Sequence, residues 1–128
     1  GLHAGKIHNT FPLMSGQIIP SGMGVMDPGI ANVFDNPVTV QFIHRFFAFT
    51  LLFLCSWFLL IARKEDLNKY QRKGVYLLFA AVCIQFLLGV LTVLSQVNIA
   101  IASIHQIGAF FFFSASIYLL FHFNSRRT

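Results

Sequence analysis

Three long apolar runs dominate the chain after residue 39, at about 40–62, 74–94 and 99–123. Each is near the ~20 residues that a helix needs to cross a bilayer. A helix buried in a soluble protein would keep a polar face. The first run shows none between Arg45 and Arg63. The pattern predicts three transmembrane helices. Residues 1–39 read differently. They hold all four prolines and the turn-rich "PSGMGVMDPG", which predicts a long loop.

The polar breaks between the runs orient them. "RKEDLNKYQRK", residues 63–73, is the most basic connector and so is expected on the cytoplasmic side. "SQVN" is short and uncharged, which puts it outside together with the loop 1–39. The tail "NSRRT" is then inside again. The expected place is a cell membrane, crossed several times, with the C-terminus cytoplasmic.

Composition agrees. Hydrophobic residues make up 56% of the 128 and charged residues 10%, against about 25% charged in a usual soluble domain. The net charge of +5 raises the question of nucleic acid. Five of the nine basic residues (Arg63, Lys64, Lys69, Arg72, Lys73) lie in one connector, and Arg126 and Arg127 lie at the C-terminus. Charge beside apolar spans is a topology signal, so no nucleic-acid partner is expected. Cys55 and Cys83 fall inside apolar runs and read as small packing residues. Met14, Met23 and Met26, scattered in the loop without Cys, read as packing residues too.

The opening Gly1-Leu2-His3-Ala4 has neither Met nor a basic leader. It reads as the interior of a longer chain. An upstream helix would complete a four-helix bundle, an architecture that holds cofactors between facing helices.

Polar residues inside the spans carry the candidate chemistry. At helical spacing His44 shares a stripe with Gln41, Ala48 and Cys55. His105 shares one with Ala102, Gly108, Ala109 and Ser116. The second span has Ala81, Gln85, Gly89, Thr92 and Gln96 on one stripe. Polar side chains are costly toward lipid, so these stripes should face inward. Small neighbours let helices approach or leave a slot for a flat ligand. Both histidines sit one to two turns below the outer end of their spans. Two imidazoles at one level can ligate a single iron from opposite sides, as in bis-histidine haem. A second reading stays open: each histidine only hydrogen-bonds a neighbouring helix. Zinc fits poorly, because it takes four ligands and no Cys, Asp or Glu is suitably spaced. Arg45 could meet a haem propionate or snorkel to the interface. His122 reads as interfacial, and His3 and His8 as solvated loop residues.

"GLHAGKIHNTFPLMSGQIIP", "NVFDNPVTVQFIHR", "QFLLGVLTVL" and "IHQIGA", in this order and over most of the chain, resemble the C-terminal half of the haem A synthase family. The resemblance implies an all-α transmembrane fold: three spans of a four-helix haem-binding bundle, half of an eight-helix pseudo-symmetric protein. It implies an oxidoreductase that oxidises a methyl group of haem O to the formyl group of haem A for cytochrome oxidase. The host membrane would be the bacterial inner membrane. Partners would be the N-terminal half of the same protein, haem O synthase and cytochrome oxidase assembly factors.

By the same resemblance His44 and His105 ligate the iron of haem b, Arg45 neutralises propionate charge, and Gln41 stands where the sister half keeps a glutamate. An amide hydrogen-bonds but does not exchange a proton as a carboxylate does. This half is therefore expected to support electron transfer or structure, with no catalytic residue of its own. Gln85 and Gln106 are expected to satisfy polar groups near the site. His8 departs from the resemblance, standing where a Tyr is expected. The rivals are a cofactor-free helix module and a free-standing b-type electron carrier.

Overall fold

The chain is described by a computed structural model over residues 3–124. Gly1, Leu2 and the basic tail with Arg126 and Arg127 lie outside the described residues. Four α-helices follow a 3₁₀ turn at Ala4–Lys6: α1 (Ala31–Phe34), α2 (Pro37–Ala62), α3 (Lys69–Leu94) and α4 (Ile99–Asn124). Among the described residues there is no strand, only one isolated bridge between Met14 and Gln17. The fold is all-helical, and α2, α3 and α4 are each long and apolar enough to cross a membrane. At 26 residues each spans about 39 Å, more than the ~30 Å hydrocarbon core.

Both α2 and α3 begin where the sequence supplies a cap. Asn36 accepts hydrogen bonds from the N–H groups of Val38 and Thr39, and Pro37 takes the first helical position, where no N–H is needed. Asn68 accepts from Tyr70 and Gln71, and the Gln71 side chain accepts in return from the Asn68 N–H. That reciprocal box starts α3 at Lys69, five residues before the apolar run at Gly74. Lys69, Arg72 and Lys73 therefore belong to the first turns of a helix, and the true connector is only 63–68. Hydropathy misses this because a helix can begin in the polar interface before its chain enters lipid.

The loop 3–30 is not a free excursion. Asn36 also donates to the Gly22 carbonyl (2.8 Å) and to Asn32 Oδ1 (3.0 Å). Asn32 in turn bonds the backbone of Met26 and Gly29. Both asparagines are buried, so this network ties the second half of the loop to the start of α2. Met14 is buried and Met23 half-buried, while Met26 is exposed.

The helix α3 packs most closely on α4 and less closely on α2. At one end the helices meet around Leu59, Ala62, Val75 and Leu119. Gly74 allows the contact: a Cβ there would lie 2.8 Å from Leu119 Cδ1. Close approach matters because lipid offers no hydrophobic drive for helix association, only packing and hydrogen bonds. Gln71 adds such a bond, donating across to the His122 carbonyl (3.1 Å). His122 is half-buried, its ring stacked on Tyr70 at 5.2 Å. Cys55 and Cys83 are half-buried free thiols.

Replacing Asn36 by Ala should lower stability by about 1–2 kcal/mol, the worth of a helix cap. Thermal unfolding of the purified protein in detergent measures it, and an unchanged midpoint would show that the loop holds itself.

Candidate functional site

Away from that apolar cluster, the opposite half of the three helices encloses a cavity of about 490 Å³. Ala48, Phe49 and His44 line it from α2, Gln85, Phe86 and Gly89 from α3, and His105, Ala109 and Phe112 from α4. Its size lies in the range of cofactor pockets, which are mostly apolar with a few placed polar groups. The three stripes read from the sequence thus converge here, though not completely. Gln96 sits beyond α3 in the turn to α4, exposed and at φ 55°. Gln106 is exposed on α4.

The two histidines face each other across this space. Their ring centroids are 6.4 Å apart and their planes nearly perpendicular, at 84°. One ion bonded to an imidazole nitrogen on each side, at about 2.0–2.1 Å per bond, requires a separation of this order. His44 is exposed to the cavity and His105 half-buried. Among the described residues neither imidazole makes a hydrogen bond, and His105 Nδ1 is buried without a partner. A pair kept only to join helices would be expected to bond something. These residues fit a metal-centred planar cofactor: two unpaired imidazoles, apolar walls and small residues beside the rings.

The surroundings of His105 are arranged closely. Gln85 donates from Nε2 to the His105 carbonyl (2.8 Å). Gly108 makes room for that amide, since a Cβ at 108 would collide with Gln85 Oε1. Gly89 makes room for the imidazole, with a Cβ there 3.1 Å from His105 Cε1.

Gln41 and Arg45 are both buried and both border the cavity, yet their hydrogen bonds run upward to the loop. Gln41 Oε1 accepts from the His8 N–H (3.2 Å), and its Nε2 donates to the His8 carbonyl (3.0 Å). Arg45 donates to the carbonyls of Thr10 (2.7 Å) and His8 (2.5 Å). Its Nε is buried without a partner. This clamp seats Phe11 among the helices, stacked on Phe49 at 5.9 Å and edge-on to Phe86 at 6.0 Å. The loop therefore roofs the cavity. Sequence reasoning missed the clamp, because backbone carbonyls 35 and 37 residues away leave no trace in a periodicity.

His8 is not the solvated residue expected. It is half-buried, with Nδ1 2.8 Å from Ser15 Oγ and Nε2 enclosed without a partner. The reason is the clamp on its own backbone, which pulls the residue inward.

The chain matches, over residues 1–117, the COX15-CtaA family, described as cytochrome oxidase assembly protein. The chain belongs to this family. A haem A synthase of Bartonella tribocorum is 45% identical over 106 residues, which cover 83% of this chain and 30% of that protein. One of Wolbachia pipientis wMel is 42% identical over all 128 residues, 35% of its own length. One of Nitrosomonas eutropha is 42% identical over 119 residues, covering 93% of this chain and 33% of that protein. The chain spans about a third of the length of these curated relatives. No solved structure matches it.

Arg45→Ala should release the roof of this family member's cavity. Two hydrogen bonds from a charged donor are lost, and bonds to charged groups contribute about 1.5–3 kcal/mol. Amide hydrogen exchange over residues 3–20 should then quicken about tenfold or more, with 69–94 unchanged. Equal protection in variant and parent would show the loop to be held by Phe11 alone.

Proposed function

We propose that the chain is the haem b-holding, C-terminal half of a haem A synthase. In the complete enzyme a methyl group of haem O is oxidised to the formyl group of haem A for cytochrome oxidase. The observation that carries this reading is the pair His44 and His105, unpaired and 6.4 Å apart across an apolar cavity. Membership of the family and identity to haem A synthases support it.

In this reading the neutral imidazoles of His44 and His105 ligate the iron. Gln85 and Gly89 position the His105 ring. Arg45 sets its positive charge beside the propionate edge while its N–H groups hold the roof. Gln41 fixes the loop backbone and carries no titratable proton. A haem held by His44 and His105 would supply one-electron chemistry there. That suits electron transfer or structural support for the sister half. The fourth helix would come from chain preceding this segment, within an eight-helix protein. The basic connector would face the cytoplasm and the clamped loop the outside of the bacterial inner membrane.

An absorption spectrum of the purified full-length protein tests the ligands. A sharp low-spin Soret band should be lost in His44→Ala and in His105→Ala, and persist in Gln41→Glu. A spectrum unchanged in both histidine variants removes the ligand assignment. Gly89→Val should also deplete haem, by pushing on the His105 ring. The synthase reading is tested separately, by supplying haem O to cells that make the full-length chain. Haem A should appear; its absence would favour a free-standing b-type carrier.

A further inference from the structure

A second, smaller cavity of about 190 Å³ opens at the other end of the helices, in the corner between α2 and α3. Its floor is apolar, made by Leu59, Ala62 and Val75, and its rim carries Arg63, Arg72 and Tyr76. The two arginines come from different elements. Arg63 caps the C-terminus of α2 and Arg72 stands in the first turn of α3. The short connector and the Asn68–Gln71 capping box fix their relation.

Neither guanidinium is neutralised. Glu65 and Asp66 lie in the same connector, yet among the described residues neither arginine has a carboxylate partner or a side-chain hydrogen bond. Lys69 differs, with its ammonium 4.9 Å over the Tyr70 ring. An arginine needed only for topology would have no reason to border a cavity. Here two planar forks share one with a phenol, above an apolar floor that the packing of α2 on α3 already buries. Guanidinium forks match the oxygens of a phosphate, and basic pockets between membrane helices take anionic headgroups.

We propose that this corner binds the phosphate head of an anionic membrane phospholipid, such as phosphatidylglycerol, with its acyl chains leaving past exposed Tyr76 over the outer apolar surface of the helices. The corner lies at the end of helices long and apolar enough to cross a membrane, beside exposed Leu60, Ile61 and Tyr76, which commits the site to a lipid over a free phosphate. A soluble anion would leave that outer apolar surface without a partner. The proposal is independent of the haem assignment. Its corner is remote from His44 and His105, and bound lipid is read without reference to the spectrum.

Native mass spectrometry of the purified full-length protein provides the test, with phosphatidylglycerol or phosphatidylcholine added to detergent solution. The parent should retain phosphatidylglycerol preferentially. The pair Arg63→Gln and Arg72→Gln should weaken retention about tenfold or more. The pair Lys64→Gln and Lys73→Gln removes the same charge outside the cavity and should change little. Equal loss in both pairs would reduce the effect to bulk charge and overturn the site. Displacement of the lipid by millimolar inorganic phosphate would overturn the choice of a lipid. A photoreactive phosphatidylglycerol on the parent protein needs no substitution: adducts should fall within residues 59–76, and adducts confined elsewhere would refute the proposal.

Discussion

A polar group inside a membrane must find its partner within the protein, because lipid offers none. Much of this chain follows from that constraint. Its long-range polar bonds run from the side chain of one element to the backbone of another. Asn36 holds Gly22, Gln41 and Arg45 hold His8 and Thr10, Gln71 holds His122, and Gln85 holds His105. Each leaves an element joined to its neighbour without a buried charge pair, whose desolvation would be costly. Against this background the two imidazoles that bond nothing stand out. They lie where the helices part, and it is there that a ligand would complete the account.

Glycine decides how closely the elements come together. Gly74 admits Leu119, Gly108 admits the Gln85 amide and Gly89 admits the His105 ring. All three lie between α3 and α4, the most closely packed pair. Two of them serve the cavity directly, so the packing that holds α3 to α4 also sets where His105 stands. Gly5 does the same at the roof, since a Cβ there would lie 2.8 Å from Val97 Cγ2 in the turn between α3 and α4. Val97 itself is at φ 61°, an unusual place for a β-branched residue, and the loop packed on it helps to hold it there.

The two ends of the bundle divide the work. One end, where Leu59, Val75 and Leu119 close the core, carries the basic connector and a small amphipathic corner. The other is held open by aromatic and small residues and covered by a clamped loop. Arg45 illustrates the economy of this arrangement. One guanidinium both borders the cavity and bonds its roof, so charge beside the cavity and closure over it are coupled through a single side chain.

The three spans and the inward histidines were legible in the sequence because hydropathy and helical period are local properties. Ala48 and Ala109 could be assigned to the histidine faces, and Gly89 to the polar stripe of the second span, on spacing alone. The start of α3 at Lys69 was less legible, since a capping box in polar surroundings carries no hydropathy signal. What only the tertiary structure decided was where the polar side chains of α2 point. Gln41 shares the stripe of His44 and Arg45 follows it directly, and the resemblance gave all three to one ligand. Three-dimensional folding brought the carbonyls of a distant loop within reach, and those acceptors took the amide and the guanidinium. A sequence pattern specifies the face a residue occupies; the partner it finds there depends on which remote backbone group the fold delivers to that face.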